Sequence, residues 1–500
     1  MTTAPSALTA PPFLSSGVPG LDSVLGGGLS AGRFYLVEGV PGSGKTTLAL
    51  QFLMEGARRG ESVLYVTLSE TEEEIRAVVH SHGWTLDGVR VLEVVASEAA
   101  LAPEQQYTVF QPDEVELSET TKAILTEVEA HRPARVVFDS LSELRLLAGS
   151  PLRYRRQMLG LKQFFAGRSC TALVLDDRTS SADDPQLHSI AHGIISLEQS
   201  HRSYGSERRQ LRIVKYRGVA FVGGHHDFKI VRGGLQVFPR LVAANHRGQG
   251  AGGTLSSGVA ELDSLLGGGL ERGTSTLLSG APGTGKSTIA TLFALEAARR
   301  GERAAMFLFD ESIDTLRKRL RGMGMEIDPL LASGRLTLQQ VDPAEMSPGE
   351  FAHAVIQVAE EPGATVIVID SLNGYMNAMP DEKTLTVQLH ELLTFLGHRG
   401  VGTLLVNVQR GLVGAQVIST VDTSYLADTV LILRYFEAQG AVHQAISVLK
   451  KRSGHHERTI REFSLDNNGV QVGPPLTQFH GVLTGVPSYV GARAAPDDSP

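Results

Sequence analysis

Cysteine is almost absent from this 500-residue chain, which contains Cys170 alone. A single cysteine cannot form a disulfide within the chain, so a small disulfide-stabilised fold is excluded. Because Cys170 directly precedes the apolar stretch 171–175, we expect it to be a small core residue and not a catalytic thiol.

Long apolar runs and an excess of positive charge are also absent. No run is long enough to span a bilayer, and the first 14 residues lack the basic and apolar regions of a signal peptide. We therefore expect a cytoplasmic protein without a membrane partner. The 46 Lys and Arg residues are outnumbered by 54 Asp and Glu, for a formal net charge of −8. A protein that coats nucleic acid would have the opposite balance, so we do not expect nucleic acid as a partner.

Two copies of the pattern G-x-x-x-x-G-K-[ST] are the most informative feature that is present. Each copy follows an apolar run and precedes a helical pattern. In such a loop, backbone N–H groups point at phosphate, the lysine reaches the β- and γ-phosphates, and the hydroxyl group ligates Mg²⁺. The duplication predicts two nucleoside-triphosphatase cores that use ATP and Mg²⁺. The predicted ATP-binding residues are Gly39, Pro41, Gly42, Ser43, Gly44, Lys45, Thr46 and Thr47 in the first copy, and Gly280, Pro282, Gly283, Thr284, Gly285, Lys286, Ser287 and Thr288 in the second.

The two loops belong to a longer internal repeat. Residues 17–29 recur as 258–270, and one spacing separates Lys45 from Lys286 and Glu70 from Glu311. A repeat of this length is a whole domain. We predict a first domain at 1–245 and a second at 254–491, joined by the polar, glycine-rich stretch 245–253 and followed by a disordered tail at 492–500.

Short apolar runs alternate with helical patterns in both repeats. This alternation is typical of a parallel sheet that is covered by helices on both faces. We therefore predict an α/β protein with two tandem doubly wound domains. The predicted strands are 34–37, 62–68, 135–138 and 171–175 in the first repeat, and 304–309, 365–369 and 402–406 in the second.

An aspartate ends one buried strand in each repeat. Asp139 follows 135–138, and Asp370 follows 365–369. An aspartate in this position is commonly a turn former. Because each one follows a phosphate loop at a suitable distance, we predict that Asp139 and Asp370 hold Mg²⁺ together with Thr46 and Ser287.

A glutamate follows the second strand of each repeat, Glu70 in one and Glu311 in the other. A carboxylate at this position can polarise the water that attacks the γ-phosphate. The alternative is an acid that merely stabilises a helix N-terminus. The matched positions favour the catalytic interpretation.

A third recurring element contains two basic residues at alternate positions. It supplies Lys215 and Arg217 in the first repeat, and Lys450 and Arg452 in the second. Taken alone, this pattern indicates no more than the solvated face of a strand.

Together these motifs resemble the KaiC group of the RecA-like ATPases along nearly the whole chain. The resemblance rests on the Gly-Leu-Asp-x-x-Leu-Gly-Gly-Gly entry, both phosphate loops, both Lys-x-Arg elements and the stretch 455–463. It implies two tandem RecA-like P-loop NTPase domains, each with a mainly parallel twisted sheet flanked by helices. It also implies a homohexameric ring with ATP between neighbouring subunits. Lys215, Arg217, Lys450 and Arg452 would then reach the γ-phosphate held by the adjacent protomer.

Two departures from the family pattern concern catalysis. The family's paired glutamates correspond to Ser69 and Glu70 in the first repeat and to Asp310 and Glu311 in the second, so Asp310 is a further candidate catalytic residue. Clock members of the family phosphorylate an adjacent Ser-Thr pair in the second domain. Ser424 keeps that serine, whereas Tyr425 stands in place of the threonine. The resemblance makes Ser424 a candidate phosphoacceptor, and Tyr425 argues against a two-site cycle.

The leading functional prediction is a ring-forming ATPase with serine/threonine autokinase activity that acts in signalling or circadian-type regulation. Its expected partners are copies of itself and regulatory or signalling proteins. The alternative is a RecA/RadA-like DNA-dependent ATPase in recombination or repair. Against it, the segment 176–184, where such proteins bind DNA, contains four carboxylates and one arginine. A nucleotide-gated scaffold that hydrolyses ATP slowly is a third interpretation, which the sequence does not separate from the first.

Overall fold

In a computed structural model, the chain divides into two compact units, Met1–Arg240 and Leu241–Pro500, and each contains a nine-stranded sheet. The structure describes residues 12–94, 112–177, 185–201, 204–246, 248, 250, 252–376, 382–409, 425–466, 469–484 and 487–489.

The first unit alternates strands and helices over most of its length. Its strands are β1 (Phe13–Leu14), β2 (Leu29–Ser30), β3 (Phe34–Gly39), β4 (Val63–Thr67), β5 (Val89–Glu93), β6 (Arg135–Asp139), β7 (Thr171–Asp177), β8 (Gly193–Ser200), β9 (Arg208–Tyr216), β10 (His226–Val231) and β11 (Gly234–Phe238). Its helices are α1 (Leu21–Val24), α2 (Lys45–Arg58), α3 (Glu72–Ser81), α4 (Pro112–His131), α5 (Leu141–Ala148), α6 (Pro151–Ala166) and α7 (Pro185–Ile190).

The second unit repeats this order. Its strands are β12 (Thr254–Leu255), β13 (Leu270–Glu271), β14 (Ser275–Gly280), β15 (Ala304–Leu308), β16 (Leu336–Gln340), β17 (Val366–Asp370), β18 (Gly402–Val408), β19 (Thr429–Ala438), β20 (Ala441–Lys451), β21 (Arg461–Asp466), β22 (Gly469–Pro475), β23 (Phe479–His480) and β24 (Ser488–Tyr489). Its α-helices are α8 (Ala260–Leu265), α9 (Lys286–Arg299), α10 (Ile313–Gly322), α11 (Asp328–Ala332), α12 (Pro348–Glu360), α13 (Leu372–Met376) and α14 (Glu382–His398), with short 3₁₀ helices at Ala243–Asn245 and Val482–Thr484.

The strand order places the phosphate-loop strand in the middle of each sheet. The order is β11-β10-β9-β8-β3-β7-β6-β4-β5 in the first unit and β16-β15-β17-β18-β14-β19-β20-β21-β22 in the second. Six strands of each sheet are parallel, from β8 to β5 and from β16 to β19, and the remaining strands continue the sheet antiparallel. Both predicted domains are therefore α/β, with a mainly parallel sheet. The antiparallel extension was not predicted.

Burial on both faces explains why residues 34–37 of the central strand β3 are all apolar or aromatic. In β3, Tyr35 and Val37 pack into the core on the side of α2, whereas Phe34 and Leu36 pack into the core on the side of α5 and α6. Side chains alternate between the two faces of a strand, so a strand covered on both faces favours consecutive apolar residues. Each such side chain contributes roughly 1.5–3 kcal/mol of burial free energy.

The topology brings the predicted chemistry to one edge of each sheet. Parallel strands end at the same edge, so the ends of β3, β6 and β7 lie side by side, and Gly39 is in register with Asp177. The second sheet has the same arrangement, in which Gly280 is in register with Val408. None of the helices in the described ranges is long and apolar enough to cross a membrane.

Cys170 provides a simple test of this packing. The residue is 1% exposed, and burial raises the pKa of its thiol to about 12. Because the thiolate is the reactive form, we expect the native protein to resist a thiol reagent at mildly alkaline pH, whereas the denatured protein reacts at one thiol per chain. Rapid reaction of the native protein in a colorimetric thiol assay would show that this core is open.

Candidate functional site

The first phosphate loop turns sharply between β3 and α2. Gly44, the residue before the helix, has φ of 104°, and a Cβ there would lie 2.7 Å from Cδ1 of Ile230. Only glycine fits such a position. The Nζ atom of Lys45 donates to the carbonyl oxygens of Gly39 at 2.9 Å and Val40 at 3.0 Å, so the lysine folds back over the loop.

A hydroxyl group and a carboxylate meet beside this loop. Oγ1 of Thr46 donates to Oδ2 of Asp139 at 2.8 Å, and the hydroxyl of Tyr65 donates to the same oxygen at 2.6 Å. Burial raises the pKa of Asp139, and the bonds from Tyr65 and Thr46 oppose this effect. Hydroxyl and carboxylate oxygens are ligands that Mg²⁺ prefers, and it is commonly held by one or two protein groups plus phosphate oxygens. Thr46 and Asp139 therefore fit a magnesium ion.

Glu70 lies beside this pair, after the end of β4. Thr67 anchors its backbone, because Oγ1 of Thr67 donates to the carbonyl of Glu70 at 2.6 Å and accepts from its N–H at 3.0 Å. The Oε2 atom of Glu70 is buried and accepts no hydrogen bond from the described residues. The pKa of Glu70 is raised by burial first and then by the charges of Asp139, Glu74 and Asp177.

The helix that follows is capped without Glu70. Thr71 is the N-cap of α3, and its side chain accepts from the N–H of Glu74, whose carboxylate in turn accepts from the N–H of Thr71. This reciprocal capping box satisfies the helix N-terminus. The carboxylate of Glu70 is therefore not needed for capping.

Asp177 is a charged residue at this site that was not predicted. Its Oδ1 lies 2.7 Å from Nζ of Lys45, so the loop lysine is held by a carboxylate as well as by two carbonyl groups. Val408 stands at the corresponding register position of the second unit. The sequence does show an acid at the end of the predicted strand 171–175. It does not show that this strand lies next to the phosphate-loop strand, because that depends on the strand order of the sheet.

The second phosphate loop has the same backbone form without such a carboxylate at the strand end. Gly285 has φ of 94°, and a Cβ there would lie 2.7 Å from Cε1 of Phe463. The Nζ atom of Lys286 donates to the carbonyl of Ala281 at 2.6 Å. Burial lowers the pKa of Lys286 to about 8, and the charge of Asp370 opposes this effect.

The acids of the second site are all engaged by neighbouring side chains. Asp370 is 8% exposed; burial raises its pKa, and a hydrogen bond from Ser287 opposes the rise. Asp310 accepts a hydrogen bond from Ser371. Glu311 receives two hydrogen bonds from Arg319, at 3.1 Å to Oε1 and 2.8 Å to Oε2. The hydroxyl and carboxylate of Ser287 and Asp370 form a donor set that also fits Mg²⁺.

The basic pair of the first unit lies at the opposite edge of the sheet from its own phosphate loop. The backbone N–H of Arg217 donates to the carbonyl of His192, whose own N–H donates to Phe34 at the start of β3. The loop begins at the other end of that strand, about 17 Å away. Lys215 and Arg217 donate to the carbonyls of His188 and Ser189.

The second basic pair has the same placement. The N–H of Arg452 donates to the carbonyl of Asp428, whose N–H donates to Ser275 at the start of β14. Lys450 donates to the carbonyl of Ala427 at 2.7 Å, and Arg452 donates to the carbonyl of Tyr425 at 2.8 Å and to Oδ1 of Asp428 at 3.2 Å. Neither pair is therefore positioned to serve the loop of its own unit.

Lys162 and Arg33 add positive charge to the first pair and were not predicted. Lys162 donates to the carbonyl of Ile190 at 2.7 Å, one residue beyond the carbonyl that Arg217 contacts. Burial lowers the pKa of Lys162, and the charges of Arg217 and Arg33 lower it further. Such crowding favours the approach of an anion.

Some predicted features, among them the predicted tail at 492–500, lie wholly or partly outside the described residues. Ser424 is outside them, and Tyr425 is the first described residue after that gap. The segment 176–184, where a DNA-binding relative would contact DNA, is described only at Asp176 and Asp177. These two acids form ion pairs, Asp176 with Arg145 and Asp177 with Lys45.

Comparison with known proteins gives one family for both units. A family model described as "ATPase: KaiC" matches residues 14–242 and 255–477. The chain is 27% identical over 485 residues to a circadian clock protein KaiC3 of Synechocystis, which covers 95% of this chain and 94% of the relative. It is 26% identical over 478 residues to the circadian clock oscillator protein KaiC of Picosynechococcus, an alignment that covers 95% of this chain and 92% of the relative. It is also 26% identical over 478 residues to the circadian clock oscillator protein KaiC of Synechococcus elongatus, with 95% of this chain and 91% of the relative covered.

The ion pair between Lys45 and Asp177 predicts a difference in nucleotide affinity. We expect Asp177→Val, which copies Val408, to tighten ATP binding at the first site by about fivefold, because the loop lysine no longer has a competing carboxylate. Titration calorimetry in a Lys286→Ala background isolates this site. The reciprocal change Val408→Asp, in a Lys45→Ala background, should weaken binding at the second site. Weaker binding by Asp177→Val would instead show that Asp177 helps to hold the nucleotide.

Proposed function

Because the chain belongs to the KaiC family of ATPases, we propose that it binds ATP at both phosphate loops and hydrolyses it with Mg²⁺. One observation carries this proposal: in each unit a buried aspartate at the end of a strand accepts a hydrogen bond from the Ser or Thr hydroxyl group directly after the loop lysine. This pairing occurs twice, on two sheets of the same strand order. A turn-forming aspartate would not require the same hydroxyl partner in both units.

The proposed reaction at the first site is the transfer of the γ-phosphoryl group to water. The water oxygen bonds to the γ-phosphorus, the bond from that phosphorus to the β–γ bridging oxygen breaks, and ADP leaves with the electron pair. Magnesium, when bound, neutralises charge on the phosphate oxygens. Thr46 and Asp139 would hold it, Lys45 would turn from Asp177 to the phosphates, and Glu70 would accept the proton of the water. At the second site, Ser287 and Asp370 would hold magnesium, and Lys286 would bind the phosphates. Glu311, with Asp310 beside it, would accept the proton.

We further propose that the active form is a homohexameric ring, as the family resemblance implies. The support in this chain is the position of Lys215, Arg217, Lys450 and Arg452 at the sheet edge away from their own loops. In a head-to-tail ring, that edge of one subunit can face the loop edge of its neighbour. The four cations would then stabilise negative charge on the neighbour's γ-phosphate during transfer.

The regulatory part of the proposal rests on the relatives alone. Three relatives with 26–27% identity are described as circadian clock proteins, so we propose that this ATPase acts in signalling or timing through changes of partner. Phosphorylation of Ser424 by the second domain stays a prediction. No contact in the described part of the chain favours a DNA-dependent ATPase. Asp176 and Asp177, the described acids of the segment considered for DNA binding, form ion pairs with Arg145 and Lys45.

The central test of this proposal is hydrolysis of ATP. Purified protein with Mg²⁺ and ATP should release phosphate continuously, and a Lys45→Ala/Lys286→Ala variant should not, because it lacks both phosphate-binding lysines. The measurement is a coupled phosphate-release assay, with circular dichroism as the control for folding. Equal phosphate release by the folded double variant would rule out both loops as the site of turnover.

The environment of Glu70 predicts a pH dependence. A base must be deprotonated to act, and the pKa of Glu70 is raised by burial and by Asp139, Glu74 and Asp177. In the Lys286→Ala background, kcat/KM should therefore fall with decreasing pH around a midpoint above the ordinary glutamate value of 4.5. Glu70→Gln should lower kcat by about 100-fold and remove this limb. An unchanged acid limb in Glu70→Gln would assign the titration to another group.

A further inference from the structure

The two candidate bases differ in how they are held. Arg319, on α10, donates from Nε and one terminal nitrogen to the two carboxylate oxygens of Glu311, and from its other terminal nitrogen to Oγ1 of Thr288 at 2.8 Å. Thr288 lies in the first turn of α9, directly after Ser287. The Arg319 side chain therefore connects the candidate base to the helix that begins at the phosphate loop.

The described residues of the first unit contain no equivalent of this connection. Val78 occupies the corresponding position, because the spacing from Val78 to Arg319 is the same as that from Glu70 to Glu311. Val78 packs against the apolar core. Consistent with this, Oε2 of Glu70 accepts no hydrogen bond among the described residues. The two units thus present the same glutamate in an unrestrained and a restrained form.

The position of Arg319 also lets it respond to a nucleotide. One of its terminal nitrogens lies 2.8 Å from Oγ1 of Thr288, the residue directly after the candidate magnesium ligand Ser287, so the guanidinium group lies beside the phosphate loop. A triphosphate carries more negative charge than one carboxylate and binds guanidinium groups in the same two-pronged way. Phosphate at the loop would compete directly with Glu311 for Arg319.

We propose that Arg319 is a positioning residue that restrains Glu311 and makes proton transfer at the second site slow until the guanidinium group moves to phosphate. This inference rests on the proposed role of Glu311 as the base. To accept a proton from the attacking water, a carboxylate needs an oxygen lone pair directed at that water. The two charge-assisted hydrogen bonds from Arg319 occupy one lone pair of each Glu311 oxygen and fix the orientation of the carboxylate. Turning an oxygen of Glu311 toward the water therefore requires one of these hydrogen bonds to break.

Turnover at the second site alone tests this inference. In a Lys45→Ala background, Arg319→Val should raise kcat about tenfold, while KM for ATP stays the same or rises because a cation near the phosphates is lost. A merely structural role for Arg319 would lower kcat. Arg319→Lys, which retains a charge but not the two-pronged contact, should give an intermediate kcat.

Two controls show whether Arg319 acts through Glu311. Arg321→Val removes a cation of the same helix whose side chain pairs with Asp328 and not with Glu311 in the described part of the chain, and it should leave kcat unchanged. In a Glu311→Gln background, Arg319→Val should give no increase. The reciprocal change Val78→Arg, in a Lys286→Ala background, should slow the first site by restraining Glu70.

The outcomes separate this inference from the function on which it rests. An unchanged or lower kcat in Arg319→Val, together with normal hydrolysis at the first site, would overturn the restraint and leave the ATPase proposal intact. Absence of hydrolysis at both sites would overturn both. If the Arg319→Val protein fails to fold, the Arg319→Lys protein supplies the test. A kcat of Arg319→Lys equal to that of the second site with Arg319 would also contradict the restraint.

Discussion

The hydrogen-bonded pair of a strand-end aspartate and a loop hydroxyl is the constraint on which each site depends. Asp139 is nearly buried, and burying a carboxylate is costly unless hydrogen-bond donors compensate. Thr46 and Tyr65 supply these donors from the start of α2 and from β4. These hydrogen bonds therefore link α2, β6 and β4. Lys45, Glu70 and Asp177 are arranged around this link, so any change in the register of β6 would disperse the whole site.

Around this common pair the two units have diverged in the charges that surround the phosphate loop. In the first unit, Asp177 lies beside the loop lysine, and Glu70 pairs with no cation among the described residues. The second unit has Val408 in place of that acid and adds Arg319 beside the base. One unit thus restrains its phosphate-binding lysine, and the other restrains its base. In the proposed reaction, these restraints would act on different quantities, the affinity for ATP in the first unit and the rate of proton transfer in the second.

The parts of this arrangement that are encoded locally could be predicted from the sequence. The loop motifs, the apolar strands and the aspartates that end them depend on short patterns, and the sheets contain these strands as predicted. Arg319 could not be predicted, because a helix surface arginine reveals its partner only when α10 is packed against its neighbours. Asp177 depends on the order of the strands, and Lys162 on the proximity of α6 to the end of α7. The antiparallel strands β9–β11 and β20–β22 were missed because their half-buried, mixed sequences lack a continuous apolar run.

The central claim is that one chain contains two nucleotide sites with the same catalytic parts and different restraints. The most direct measurement is steady-state turnover of ATP at each site alone, with Lys286→Ala protein reporting the first site and Lys45→Ala protein the second, both at saturating ATP. The account predicts that both variants hydrolyse ATP and that kcat of the first site is the higher of the two. The reason is that Glu70 pairs with no cation among the described residues, whereas Arg319 restrains Glu311. Equal kcat values, or a faster second site, would contradict it.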